Sequence, residues 1–156
     1  MRKHNAAAGD EVTLIENLPT ADQYLHLRAQ NHWRPVSTAE VETAMANSLF
    51  SLLAVHQNRI VGCARIVGDG GLYFYVQDLI VDEDYRGKNI GTRMLQALLE
   101  WLAKNAGSNA FVGLMAADGT EGFYSRFGFE RRPGNRPGMS ISIASLQEGR
   151  NISPSM

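Results

Sequence analysis

A run of nine mostly apolar residues at positions 73–81 is followed, after a short polar turn, by an amphipathic segment. The run is rich in aromatic and β-branched side chains, which is typical of a central strand that is covered on both faces. Within residues 91–102 the apolar side chains recur at the spacing of one helix face, namely Met94, Leu95, Leu98, Leu99 and Leu102. The pattern therefore predicts a strand, a turn and a helix in succession.

Alternating and capped segments predict the remaining elements. Strands are predicted at residues 12–15, 50–56, 60–67, 73–81, 110–115, 129–131 and 139–143. Two helices are predicted from capping boxes: one starts at Thr20, with Gln23, and the other runs from Ser37, with Glu40, to about Asn47. Two more are predicted at residues 91–102 and 121–126, the last with Gly128 as its C-cap. Strands 50–56, 60–67 and 73–81 should form an antiparallel meander. Strand 110–115 follows a helix and should run parallel to strand 73–81.

Composition and charge narrow the class of protein. The length of 156 residues suits a single domain, 1–156. Within it, we expect residues 1–9 to be a mobile end and residues 145–156 to be a tail. A content of 44% hydrophobic and 20% charged residues is that of a soluble globular protein. Fifteen basic and sixteen acidic residues give a net charge of −1, so no overall field attracts nucleic acid or an anionic membrane.

The single cysteine, Cys63, lies in an apolar strand context and is interpreted as a buried thiol, not as a nucleophile or a metal ligand. The four histidines have no spacing typical of a metal site, so no metal is expected. With no partner for a disulfide, no apolar stretch near 18 residues and no signal-peptide pattern, the cytoplasm is the expected location.

The polar turn before the amphipathic helix combines two cations with two glycines: Arg86, Gly87, Lys88, Asn89, Ile90, Gly91 and Thr92. The first four N–H groups of a helix have no partner inside it, and the positive end of the helix dipole favours an anion there. Glycines allow the backbone to approach that anion closely. The turn therefore predicts a phosphate site, although its spacing fits neither a P-loop NTPase nor a dinucleotide fold.

The turn resembles the Q/R-x-x-G-x-G/A pyrophosphate loop of the GNAT superfamily of acetyl-CoA-dependent N-acetyltransferases. Residues 123–129 are similar to the F-Y-x-x-x-G-F segment near the end of many GNAT enzymes, and the order of predicted elements over residues 10–143 matches that fold. The resemblance implies an α/β fold with a mixed sheet of six or seven strands, about four helices and splayed central parallel strands. It also implies acetyl-CoA as cosubstrate.

Asn89 stands where the GNAT loop usually has glycine. If the position requires a positive φ, Asn is the least costly substitute among residues with a side chain. If glycine is required because the pyrophosphate comes very close, the Asn side chain would crowd the ligand. We favour the first explanation, which predicts that Asn89→Gly leaves coenzyme affinity unchanged or tighter.

The resemblance assigns the role of general acid toward the coenzyme sulfur to Tyr124. The alternative is that Tyr124 and the neighbouring phenylalanines only cover the sheet. In similar enzymes the general base often lies on the strand before the loop, where Gln77 and Asp78 are the candidates. Neighbours on a strand face opposite sides unless a bulge intervenes, and Asp78 has the alternative role of capping backbone N–H groups.

Contacts with the coenzyme are implied for the backbone of Leu79, Ile80 and Val81, for the turn from Arg86 to Thr92, and for Phe123, Tyr124 and Phe127. Asp118, Gly119 and Thr120 either contact the coenzyme or cap the next helix. The acceptor wall would be formed by Tyr24, Arg28, Trp33 and Arg34, opposite Arg131, Arg132 and Arg136. Arginines in a Pro/Gly loop are otherwise solvated surface residues.

These features predict an N-acetyltransferase that transfers an acetyl group from acetyl-CoA to a primary amine of a small molecule by direct attack. One alternative is acetylation of a peptide or protein amine. Another is a CoA-binding sensor module with little turnover. The sequence leaves the acceptor amine, the acyl length and the choice between a monomer and a homodimer open.

Overall fold

Two capping boxes start the first two helices, as the sequence predicts. Thr20 and Gln23 cap one helix, and Ser37 and Glu40 cap the other, each through reciprocal hydrogen bonds between side chain and backbone. The computed structural model describes residues 11–148. Its helices are α1 (Ala21–Gln30), α2 (Thr38–Ala46), α3 (Ile90–Asn105), α4 (Glu121–Ser125) and α5 (Ile143–Gln147), and a 3₁₀ turn spans Glu83–Tyr85. The expected mobile end at residues 1–9 and the tail residues 149–156 lie outside the described residues.

The sheet has the predicted meander. Its strands are β1 (Thr13–Glu16), β2 (Phe50–His56), β3 (Arg59–Gly68), β4 (Tyr73–Val81) and β5 (Phe111–Gly113), in the order β1-β2-β3-β4-β5. The first four strands pair antiparallel, and β4 pairs parallel with β5. The turn between β2 and β3 has positive φ at both Gln57 and Asn58, the geometry of a tight hairpin turn. The fold is thus α/β with a mixed sheet.

The prediction of six or seven strands is wrong for the described residues, which form five. Residues 129–131 and 139–143 have no strand conformation, and α5 begins at Ile143 instead. Met139 and Ile141 are 87% and 61% exposed, so the alternation of their segment is not matched by burial. Pro133 and Pro137 lie between the two segments, and proline has no N–H to donate to a ladder.

The chain divides into two units after Met115. In the first unit both faces of the sheet are covered. On one face, α1 and α2 place Tyr24, Leu27, Val41 and Met45 in a cluster with Leu53, Cys63 and Ile80. On the other face, α3 packs against β2, β3 and β4 and buries Met94, Leu95, Leu98 and Leu102. Within residues 11–148, no helix is both long and apolar enough to span a bilayer.

The second unit contains α4, α5 and the turns between them. Arg131 donates two hydrogen bonds to the Glu121 carboxylate, at 2.5 and 2.7 Å. The C-cap of α4 is Arg126 and not the predicted Gly128, because the helix ends at Ser125. Gly128 takes φ 92° in the turn that follows, a conformation that favours glycine.

Gly62 on β3 lies close to both α3 and β4. A Cβ atom at this position would lie 2.9 Å from the carbonyl oxygen of Ile80 and 3.1 Å from the terminal methyl of Met94. The absence of a side chain is therefore a packing requirement.

We expect Gly62→Ala to lower the free energy of unfolding by about 1–3 kcal/mol, because the added methyl is pressed against a backbone oxygen that cannot move away without disturbing the sheet. Urea unfolding measures the change. Gly107→Ala is the matched control, since a Cβ there meets nothing within 4 Å. An equal effect at both positions would contradict the packing explanation.

Candidate active site

A β-bulge on β4 decides which side chains share one face of the sheet. Arg65 on β3 pairs with Gln77, and Cys63 pairs with Ile80, so that Asp78 and Leu79 both lie opposite a single residue of β3. Asp78 has φ 55°, a left-handed conformation that Asp tolerates better than most residues. The bulge breaks the alternation of the strand, and Gln77 and Asp78 both lie beside Arg65.

The Asp78 carboxylate is an almost buried partner of Arg65. Nε of Arg65 donates to Oδ2 of Asp78 at 2.6 Å, and the two side chains are 15% and 8% exposed. Nη1 of Arg65 also donates to the carbonyl of Ala44 and to Oγ of Ser48. The Arg65 guanidinium is thus held by α2 and by the residues just after it. The Arg65 guanidinium also fixes the Asp78 carboxylate.

Tyr24 of α1 joins this cluster. Its hydroxyl accepts a hydrogen bond from Nη1 of Arg28 at 3.0 Å. Burial raises the pKa of Tyr24 to about 12, the negative charge of Asp78 adds to the rise, and Arg28 opposes it. The phenol therefore keeps its proton at neutral pH. Two further residues predicted for the acceptor wall follow α1 and lie near Arg28. The Arg28 guanidinium lies 5.4 Å from the Trp33 ring and donates to the carbonyl of Arg34.

Asp82, which the sequence analysis did not single out, holds the turn that leads out of β4. Its side chain is fully buried and accepts hydrogen bonds from the Asp84 N–H at 2.9 Å and from Gln30 and Arg59 at 3.4 Å each. Its position directly after an apolar strand and two residues before Asp84 is the available signal for a capping aspartate. The turn links β4 to the predicted phosphate loop.

The loop has the geometry of an open anion site. Gly87 and Asn89 take positive φ values of 77° and 64°, and Asn89 is the N-cap residue of α3. Its side chain makes no capping hydrogen bond, so Asn89 leaves the first N–H groups of the helix uncapped. The exposed cations Arg86 and Lys88 lie directly before this helix start. Asn89 adopts the left-handed conformation that the favoured explanation of its departure from glycine supposes.

The strand before the loop offers a free edge. The parallel pairing of β4 with β5 ends at Tyr75 and Gly113, whereas pairing with β3 continues to Val81. Within the described part of the chain, the outward backbone groups of Leu79 to Val81 therefore have no strand partner on that side. An extended amide ligand can pair with such an edge as a further strand would.

Tyr124 lies in the second unit, in an aromatic cluster. Its ring packs edge-on against Phe123 and Phe129, with centroids 5.1 and 5.9 Å away, and Phe127 lies 5.4 Å from Phe123. Burial raises the pKa of the Tyr124 phenol above its usual value. A phenol that keeps its proton is suited to donate a hydrogen bond.

The other predicted residues of the second unit have local partners. Thr120 is the N-cap residue of α4, but its hydroxyl donates to the carbonyl of Ala117 and does not cap the helix. Gly119 has φ 78°. Arg131 is bonded to Glu121, and Nε of Arg132 donates to the carbonyl of Arg136.

Cys63 is buried on β3, as predicted, and burial raises the pKa of its thiol to about 12. A thiol that stays protonated at neutral pH is a poor nucleophile. Residues 11–148 contain no group of three or more His, Cys, Asp or Glu side chains that could hold a metal ion.

Comparison with known proteins gives a consistent result. Residues 47–131, more than half of the chain, match the family model described as an acetyltransferase (GNAT) domain. The solved structure of a probable acetyltransferase from meticillin-resistant Staphylococcus aureus has a TM-score of 0.80 and 26% identity, and the match covers 85% of this chain and 99% of that one. The sheet and helices described above are therefore those of the GNAT acetyltransferase fold.

Curated relatives match over shorter stretches. Histone acetyltransferase TAP1 of Glycine max is 30% identical over 83 residues, which are 53% of this chain and 35% of TAP1. Glucosamine 6-phosphate N-acetyltransferase 1 of Dictyostelium discoideum is 26% identical over 106 residues, 63% of each chain. The chain thus spans about a third of the length of TAP1 and less than two thirds of the second relative.

We expect Asn89→Ala to lower the free energy of unfolding by about 1–2 kcal/mol, because alanine is strained at φ 64°. Asn89→Gly should change it by less than about 1 kcal/mol and leave coenzyme affinity unchanged or tighter. Urea unfolding and titration calorimetry measure the two quantities. Asn109→Ala, at an exposed position without a positive φ, is the control. A large loss of affinity in Asn89→Gly would show that the Asn side chain itself is required.

Proposed function

Because this chain belongs to the GNAT acetyltransferase family, we propose that it transfers the acetyl group of acetyl-CoA to a primary amine of a small molecule. The observation that carries the proposal is the uncapped start of α3, with Asn89 left-handed and two cations directly before it. The first N–H groups of a helix have no partner inside it, and together with the positive dipole end they favour a pyrophosphate at this place. The residues present thus fit the coenzyme.

In this proposal the coenzyme is held by two parts of the first unit. The turn from Arg86 to Thr92 binds the pyrophosphate through backbone N–H groups and through Arg86 and Lys88. The open edge of β4 at Leu79, Ile80 and Val81 binds the amide arm of pantetheine. When bound, acetyl-CoA supplies an activated acetyl group.

Tyr124 is proposed to hold a proton at its hydroxyl for the leaving sulfur. A thiol near pKa 8.5 and a phenol near 10 make full proton transfer uphill by roughly 2 kcal/mol, and burial of Tyr124 increases that difference. A hydrogen bond that strengthens as negative charge develops on the sulfur is therefore the better description of its role. Phe123 and Phe129 pack against the Tyr124 ring. Phe123 and Phe127, whose rings lie against each other, are proposed to contact the coenzyme.

The acceptor amine must lose a proton, which costs roughly 4–5 kcal/mol at neutral pH for an alkylamine. Asp78 is the proposed general base and Gln77 its polar neighbour, because the bulge places both beside Arg65. Since the carboxylate is bonded to Arg65 and nearly buried, we propose that Asp78 acts through a water molecule.

We consider two classes of acceptor, a small-molecule amine and a protein amine, because the relatives are named for one or the other. Glucosamine 6-phosphate N-acetyltransferase 1 is named for a small aminosugar, and TAP1 for a histone. We place the small acceptor beside Tyr24, Arg28, Trp33 and Arg34, and we propose a cytoplasmic location. Acetylation of a protein amine is the second candidate, and the similarity to TAP1 over 83 residues favours it. Assaying aminosugars, polyamines and lysine peptides side by side distinguishes the two.

We expect Arg86→Ala to weaken the binding of acetyl-CoA and of free CoA at least tenfold, because a charge-assisted contact with phosphate is lost. Isothermal titration calorimetry measures both ligands. Lys104→Ala is the control, since it removes the same charge in the last turn of α3. If the wild-type protein binds neither ligand at millimolar concentration, the proposal of an acetyl-CoA-dependent enzyme is abandoned.

We expect Tyr124→Phe to lower kcat by on the order of 10²-fold while the Kd for CoA changes little, because the hydroxyl acts only as charge develops on the sulfur. Tyr73→Phe removes a hydroxyl from a tyrosine that is 53% exposed and serves as control. Tight CoA binding by a wild-type protein that turns over no amine would instead support the sensor alternative.

A further inference from the structure

The side-chain amide of Asn31 joins the end of α1 to the phosphate loop. Asn31 is the C-cap residue of α1, and its Nδ2 donates to the carbonyl of Leu27 at 2.8 Å. Its Oδ1 accepts a hydrogen bond from Nη2 of Arg86 at 2.7 Å. One small side chain therefore links two segments that are 55 residues apart in the sequence.

The chemistry of both contacts fixes the orientation of the amide. A carbonyl oxygen on one side requires the amide NH₂ group, and a guanidinium on the other side requires the amide oxygen. The end of α1 is also held in place. Gln30, which precedes Asn31, donates to the buried carboxylate of Asp82 in the turn before the loop. Arg86 is thus oriented by the Asn31 amide. That amide is held by its bond to Leu27 and by the contact of the neighbouring Gln30 with Asp82.

We propose that Asn31 is a positioning residue for coenzyme binding, which holds the Arg86 guanidinium where the pyrophosphate is received. The inference rests on the proposed function. A free arginine side chain has many rotamers and must be ordered when a phosphate binds, whereas a side chain that is already held loses less freedom. A neutral amide is suited to this task, because it orients the guanidinium without neutralising its charge.

The chain contains a matched control for the capping part of the Asn31 contact. Asn47 is the C-cap residue of α2, and its Nδ2 donates to the carbonyl of Thr43, also at 2.8 Å. Asn47→Ala therefore removes the same kind of helix-end hydrogen bond without touching Arg86.

The test is titration calorimetry of the full chain with CoA, together with thermal unfolding. Asn31→Ala should weaken binding roughly three- to tenfold, whereas Asn47→Ala should bind as the wild type does. The two variants should lose similar thermal stability. Asn31→Asp should weaken binding more than Asn31→Ala does, and most strongly at low ionic strength, because a carboxylate competes with phosphate for Arg86.

A double-mutant cycle shows whether Asn31 acts through Arg86. If it does, Asn31→Ala should have no further effect on CoA affinity in a protein that already carries Arg86→Ala. The proposal is overturned if Asn31→Ala binds CoA like the wild type, if its loss persists in the Arg86→Ala background, or if Asn47→Ala causes an equal loss. A wild-type protein that binds no CoA overturns the proposed function itself, and this inference with it.

Discussion

The short pairing between β4 and β5 is the constraint on which the candidate coenzyme site of the first unit depends. Only three residue pairs join the two parallel strands, after which β5 ends and β4 continues for six residues. An unpaired strand edge is usually a liability, because its backbone groups invite other strands. Here the open edge leads, through the turn at residues 82–85, into the loop at the uncapped start of α3. Two sets of backbone groups that a ligand can reach therefore follow one another along the chain. An extended amide joined to a diphosphate matches that order.

The bulge at Asp78 changes the other side of β4, where this strand pairs with β3. Without it, Gln77 and Asp78 would face opposite sides of the sheet, and one of them would lie against α3. With it, the carboxylate reaches Arg65, and the burial of that pair is tolerated because the guanidinium also bonds to Ala44 and Ser48. A nearly buried ion pair of this kind fixes a geometry more than it adds stability. The left-handed backbone of Asp78 is therefore part of how the site is built.

Local signals in the sequence predict most of the first unit. The bounds of β2 and β4 are those that composition and turn residues indicate, and both capping boxes form, because these features depend on neighbours in the sequence. The loop is predictable for the same reason, including the positive φ at Asn89. Residues 139–143 show why alternation alone is insufficient: a strand needs a ladder partner, and nothing in a local pattern states whether one is present. The buried Asp82 and the contact between Asn31 and Arg86 depend on residues far apart in the sequence, and no local pattern records them.

Because the charges of the chain nearly balance, the binding of an anion depends on how individual cations are placed. A net charge of −1 gives no general attraction for an anion, so a phosphate must be recognised by a few groups placed correctly. Lys88 lies over the Tyr85 ring, with its nitrogen 5.1 Å from the centroid, and Arg86 is held by Asn31. Neither of these partners is a carboxylate, so they restrict the two cations without forming an ion pair. Carboxylates at those two places would hold the cations as firmly but would weaken the field that an anion meets. Neutral partners suit the proposed phosphate site, because orientation and charge are then available together.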